Sequence, residues 1–62
     1  MSSSAAELSS LATALDELTR RVTAIADRYL QDREDLATEL YHVERALNGA
    51  SRSLAKAVDN AR

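Results

Sequence analysis

The chain has 62 residues, of which 45% are hydrophobic, 29% charged and 3% aromatic, and its formal net charge is −2. This length allows one small domain, and the lack of cysteine excludes disulfides and thiolate metal sites. A single glycine and no proline argue against a turn-rich β fold, and a pI near 5.2 offers no electrostatic footprint for nucleic acid.

The first predicted helix spans about residues 5–30. Ser4 and Glu7 form a capping box, in which the serine hydroxyl and the glutamate carboxylate satisfy backbone amides at the start of a helix. The apolar residues that follow are spaced alternately three and four positions apart, which is the heptad pattern of a helix with one packing seam. They are Leu8, Leu11, Leu15, Leu18, Val22, Ile25 and Tyr29.

A wholly polar segment, Gln31–Asp35, interrupts this seam, and we predict a turn at about residues 30–34. Asp32 and Asp35 are suited to cap the helix that follows. The segment lacks Gly and Asn, which usually follow the last residue of a helix. Two alternatives therefore stay open: one unbroken helix, and a later turn at residues 48–50, where Asn48-Gly49 is a common stop signal.

The second predicted helix spans about residues 34–60, and its apolar residues have the same alternating spacing. Each helix runs from mainly acidic to mainly basic, which suits both helix dipoles and an antiparallel arrangement of the pair. We therefore predict one all-α domain over residues 1–62, an antiparallel, coiled-coil-like two-helix hairpin. The second seam consists of Leu36, Leu40, Val43, Leu47, Ala50, Leu54, Ala57 and Ala61.

A column of small side chains runs beside each seam. We expect the seams to pack the two helices together and the small columns to admit a second helix pair. This predicts a homodimer, or a higher even-numbered oligomer, built as a four-helix bundle, because a hairpin of this size is marginally stable alone. The small columns contain Ala12, Thr19 and Ala26, then Ala37 and Ser51, with Val58 as a larger member. The predicted self-association residues are Leu8, Leu11, Leu15, Leu18, Val22, Ile25, Tyr29, Leu36, Leu40, Val43, Leu47, Leu54 and Val58.

The sequence contains no pattern that predicts catalytic, cofactor-binding or metal-ligating residues. Glu39 and His42 have the Glu-x-x-His spacing of di-iron bundles, but the first helix has no counterpart, so we expect His42 to lie at the surface. Leu30 and Tyr41 lie off the seams, and an exposed tyrosine often anchors an interface. These two residues are candidate partner contacts.

We predict a small, non-catalytic interaction or assembly module without cofactors, whose partner is itself or another helical protein. Three alternatives stay open: a regulator that sequesters a protein such as a transcription factor, a nucleic-acid-associated protein that uses the basic segment 45–62, and a small helical-bundle enzyme. No apolar run has membrane-spanning length and the start lacks a signal-peptide pattern, so we expect a cytoplasmic protein. Seven arginines to one lysine, with abundant alanine, are typical of a bacterial genome of high GC content.

Overall fold

The computed structural model describes residues 3–61, which form two helices packed against each other. α1 spans Ser3–Tyr29 and α2 spans Glu34–Ala61. Residues of high helix propensity fill both segments, and neither contains a proline. The Cα atoms occupy 51 × 14 × 9 Å, which is the outline of a single hairpin. The predicted all-α two-helix hairpin is confirmed.

The helix starts differ in detail from the sequence-based expectation. Because α1 begins at Ser3, Ser4 lies inside the first turn and not at the position before it that a capping box requires. In α2 the amide of Ala37 donates a 2.9 Å hydrogen bond to the carbonyl of Arg33. Arg33, and not Asp32, is therefore the N-cap residue.

Charges that complement the helix dipoles lie at the closed end of the hairpin. Arg28 is in the last turn of α1, and Glu34 and Asp35 are in the first turn of α2. Within the described residues, the first turn of α1 has no acidic residue and the last turn of α2 has no basic one. Since the dipole acts mainly within one turn of a helix end, the acidic-to-basic layout stabilises mainly the closed end. Arg62, the last basic residue of the segment 45–62, lies outside the described residues.

The connection between the helices, Leu30–Arg33, closes without glycine. The amide of Arg33 donates a 2.8 Å hydrogen bond to the carbonyl of Tyr29. None of residues 3–61 has a positive φ, so this turn needs no left-handed position. Gly49 lies inside α2, where Asn48-Gly49 does not end a helix. The unbroken helix and the later turn are therefore both wrong.

The most deeply buried side chains in the contact between α1 and α2 are mainly small. Ala26 and Ala37 are fully buried, and Thr19 and Val58 are nearly so. In a two-helix structure only the opposite helix covers such positions, and small side chains let the two backbones approach closely. The large seam residues are covered only in part, so the expectation that the seams pack within the hairpin holds for their half-buried members and not for the exposed ones. Leu8, Leu15, Val22, Leu36, Leu40, Leu47 and Leu54 are half-buried, and Leu11, Leu18, Ile25, Tyr29 and Val43 are exposed.

Candidate interaction surface

The exposed seam residues of both helices lie on the same side of the hairpin. Leu11, Leu18 and Ile25 each follow a half-buried residue of α1 by three positions, and Val43 follows Leu40 of α2 by three. Three positions fall about 60° short of a full helical turn, so each row is rotated in the same sense from the contact. Because α2 runs antiparallel to α1, this rotation turns both rows to one side. We call this side, with the half-buried leucines and Val22 between the rows, the apolar face.

The apolar face exposes large side chains that a folded chain normally covers. Leu11 is 51% exposed, Leu18 49%, Val43 43% and Ile25 37%. Among the described residues, no large side chain is fully buried anywhere in the hairpin. Single exposed leucines are common on protein surfaces, whereas large exposed apolar patches are typical of interaction sites, so this side is a candidate interaction surface.

The two rows of the apolar face differ in height. Large side chains form the α1 row, whereas Val43 is followed in the α2 row by Ala50 and Ala57. Both alanines are exposed. The apolar face therefore has a raised edge along α1 and a lower edge along α2.

The opposite side of the hairpin is polar and joins the helices by side-chain hydrogen bonds. Thr23 donates to Glu44 at 2.7 Å, and Ser51 donates to Asp16 at 2.5 Å. The two bonds are one heptad apart on both helices, so they set the register of the pair. A third bond, from the Tyr41 hydroxyl to Asp27, lies nearer the turn. We call this side the polar face.

A shallow groove on the polar face is lined in part by polar groups that are engaged within the chain. Its lining includes Arg20, Thr23, Asp27, Glu44 and Asn48. Arg20 pairs with Glu17 at 2.6 Å, and the carboxylates of Asp27 and Glu44 accept the cross-helix bonds described above.

Three groups on the described hairpin have displaced pKa values: Tyr41, Asp35 and its partner Arg33, whose pKa is raised by the hydrogen bond to Asp35. The Tyr41 hydroxyl donates a hydrogen bond to Asp27 and must keep its proton to do so, which raises the pKa of Tyr41. The side-chain hydrogen bond from Arg33 lowers the pKa of Asp35, with a further contribution from the Leu36 amide. The Tyr41–Asp27 and Arg33–Asp35 hydrogen bonds are both exposed, and each acts only on its own part of the hairpin.

The residues predicted as partner contacts lie apart from each other. Leu30 is 49% exposed at the start of the turn, whereas Tyr41 lies on the polar face with its hydroxyl bonded to Asp27. Val58, predicted to take part in self-association, is covered by α1, so its side chain is not accessible to a second copy. The remaining predicted self-association residues lie on or beside the apolar face.

His42 is exposed. Within residues 3–61, no three His, Cys, Asp or Glu side chains come together in a way that would hold a metal ion. Neither described helix has an apolar stretch that could cross a membrane.

The cross-helix hydrogen bonds were missed by sequence reasoning, although the sequence carries a trace of them. Asp16 and Thr23 are seven residues apart, as are Glu44 and Ser51. Polar residues that recur at the heptad spacing beside two seams indicate paired positions once the helices are known to be antiparallel.

No protein-family model, characterised protein or solved structure matches the chain.

Proposed function

We propose that the chain is a non-catalytic assembly module that self-associates through the apolar face. The observation that carries the proposal is the lack of a core: no large side chain is fully buried in the described hairpin, yet large apolar side chains line one side of it. Fully burying one leucine contributes roughly 1.5–3 kcal/mol relative to leaving it exposed. Because Leu11 and Leu18 are already about half covered, covering each of them would add roughly half of that amount.

The size and pattern of the apolar face support a second copy as its occupant. The apolar face lies along one side of a hairpin whose Cα atoms extend over 51 × 14 Å, and side chains widen that side on both edges. This is near the roughly 800 Å² per partner of a standard protein interface. Heptad-spaced apolar rows on two antiparallel helices are also the pattern that four-helix bundles bury. Two hairpins packed through their apolar faces would form such a bundle.

Sedimentation equilibrium at tens of micromolar tests this proposal. We expect the wild-type chain to have at least twice its 6.8 kDa mass. Leu18→Asp should shift it towards the monomer and reduce its helicity, because the substitution would bury an unpaired charge in the bundle. Ala24→Asp is the matched control, since Ala24 is exposed and lines the groove on the polar face.

A 6.8 kDa species that stays fully helical at these concentrations would contradict self-association. Equal loss of mass and helicity from Leu18→Asp and Ala24→Asp would contradict the apolar face as its interface. A helical monomer would instead favour the alternative function, a regulator whose apolar face receives a helix of another protein. In that case Leu18→Asp should abolish binding of the purified partner protein, and Ala24→Asp should leave this binding intact.

A further inference from the structure

We infer that the two copies associate in parallel, with both turns at the same end of the dimer and the two-fold axis along the helices. This inference rests on the proposed self-association and specifies its geometry. Two hairpins stacked through the same face have only one other symmetric arrangement, in which the axis lies across the helices and the turns lie at opposite ends. The two arrangements bring different rows into contact.

In the parallel arrangement, each α1 packs on α2 of the second copy. A two-fold axis along the helices leaves the position of every residue along that axis unchanged. The register of the hairpin is therefore also the register of the interface. The bonds from Thr23 to Glu44 and from Ser51 to Asp16 place Leu18 level with Ala50. Leu18 of one copy therefore lies over Ala50 of the other.

The different heights of the two rows favour this arrangement. At the same register, Leu11 lies level with Ala57, and Ile25 with Val43. At two of these three levels a large side chain of one copy thus packs on an alanine of the other, and only Ile25 meets a second large side chain. In the opposed arrangement, α1 packs on α1 and α2 on α2. Large side chains would then hold one edge apart and leave voids between the alanines of the other, which costs packing energy.

Charges at the edges of the apolar face fit the parallel arrangement and provide a second test. Arg28 follows Arg21 along the outer edge of α1. Glu39 lies on the outer edge of α2, level with Arg28 along the helix axis. The parallel dimer brings Arg28 beside Glu39 of the second copy, twice by symmetry. In the opposed dimer, Arg28 would instead lie beside Glu7 of the second copy.

Distance measurement between spin labels tests the orientation. The chain has no cysteine, so Asp32→Cys places one label in the exposed turn of each copy. The parallel dimer predicts a label separation of about 10–30 Å, since packed helices lie 8–10 Å apart and the label linkers add to this. The opposed dimer predicts a separation near the 51 Å length of the hairpin.

The two failures are distinguishable. A long separation in a sample of dimeric mass overturns the parallel orientation and leaves self-association intact. If no separation is measured in a sample of monomeric mass, the proposed function itself fails. An unlabelled Asp32→Ser variant must keep the wild-type mass, which shows that the turn substitution leaves association unchanged.

Charge reversal gives an independent readout. Glu39→Lys should raise the dimer dissociation constant roughly 3- to 30-fold at low salt, because two exposed ion pairs are lost and replaced by repulsion. Glu7→Lys is the matched control and should have a smaller effect in the parallel dimer. The reverse order, with Glu7→Lys the more damaging, would support the opposed arrangement and overturn the inference.

Discussion

The hydroxyl of Thr23 donates a 2.7 Å hydrogen bond to the carboxylate of Glu44 across the hairpin. Glu44 occupies the same heptad position in α2 as the buried Ala37 and Val58. The long side chain of Glu44 fits this position because it bends towards the polar face, where its carboxylate accepts the hydrogen bond from Thr23. The bond therefore accommodates a charged residue at a contact made otherwise mainly by small side chains.

We predict that Thr23→Val destabilises the hairpin by about 1–2 kcal/mol, because it leaves the half-buried carboxylate of Glu44 without this donor. In a Glu44→Ala background the same substitution should have almost no effect. Urea unfolding of the four proteins of this double-mutant cycle measures the difference. Thr13→Val is the control, since the exposed Thr13 hydroxyl bonds only within its own helix, at 3.3 Å. An equal cost of Thr23→Val in both backgrounds would contradict the prediction.

The close approach of the helices makes the buried alanines intolerant of larger residues. We predict that Ala26→Leu lowers the free energy of unfolding by about 1–3 kcal/mol through overpacking, although leucine is a good helix former. Ala24→Leu, two positions earlier and exposed, should be nearly neutral. Thermal unfolding followed by circular dichroism at matched protein concentration compares the two. A neutral Ala26→Leu would mean that the helices lie further apart than the structure places them.

Gly49 lies in the interior of α2 without a positive φ. A Cβ atom there would meet only an Arg52 side-chain nitrogen at 3.9 Å, an ordinary contact. We therefore predict that Gly49→Ala stabilises the protein by about 0.5–1 kcal/mol through helix propensity and reduced unfolded-state entropy. In a domain of this size that corresponds to a rise in Tm of several degrees, about 4–8 °C per kcal/mol. A fall in Tm would indicate that Gly49 ends a helix.

The sequence allowed the hairpin to be predicted but not the contact within it. The polar segment Gln31–Asp35 separates two heptad patterns, and this local signal was sufficient to indicate two helices. Heptad patterns identify the side chains that need covering, but they do not say which surface covers them. Within one hairpin the buried Ala26 and Ala37 permit the closest approach, so the contact formed there, and the rows of large residues were left on one side. Only the three-dimensional structure shows which row of residues packs within the hairpin and which neighbouring row stays exposed on the apolar face.

The hydrogen bond between Tyr41 and Asp27 gives the hairpin a specific alkaline response. Because the bond requires the protonated hydroxyl, it raises the pKa of Tyr41 in the folded protein above its ordinary value of 10.0. A raised pKa contributes stability that is fully present below the unfolded-state pKa and is lost as the pH rises through the folded-state pKa. We therefore predict that Tyr41→Phe is less stable than wild type at pH 8, and that the difference vanishes above the folded-state pKa. Spectrophotometric titration of tyrosine in a Tyr29→Phe background, with and without Asp27→Ala, measures the shift directly. An unchanged titration midpoint after Asp27→Ala, which removes the acceptor, would rule out the hydrogen bond as its cause.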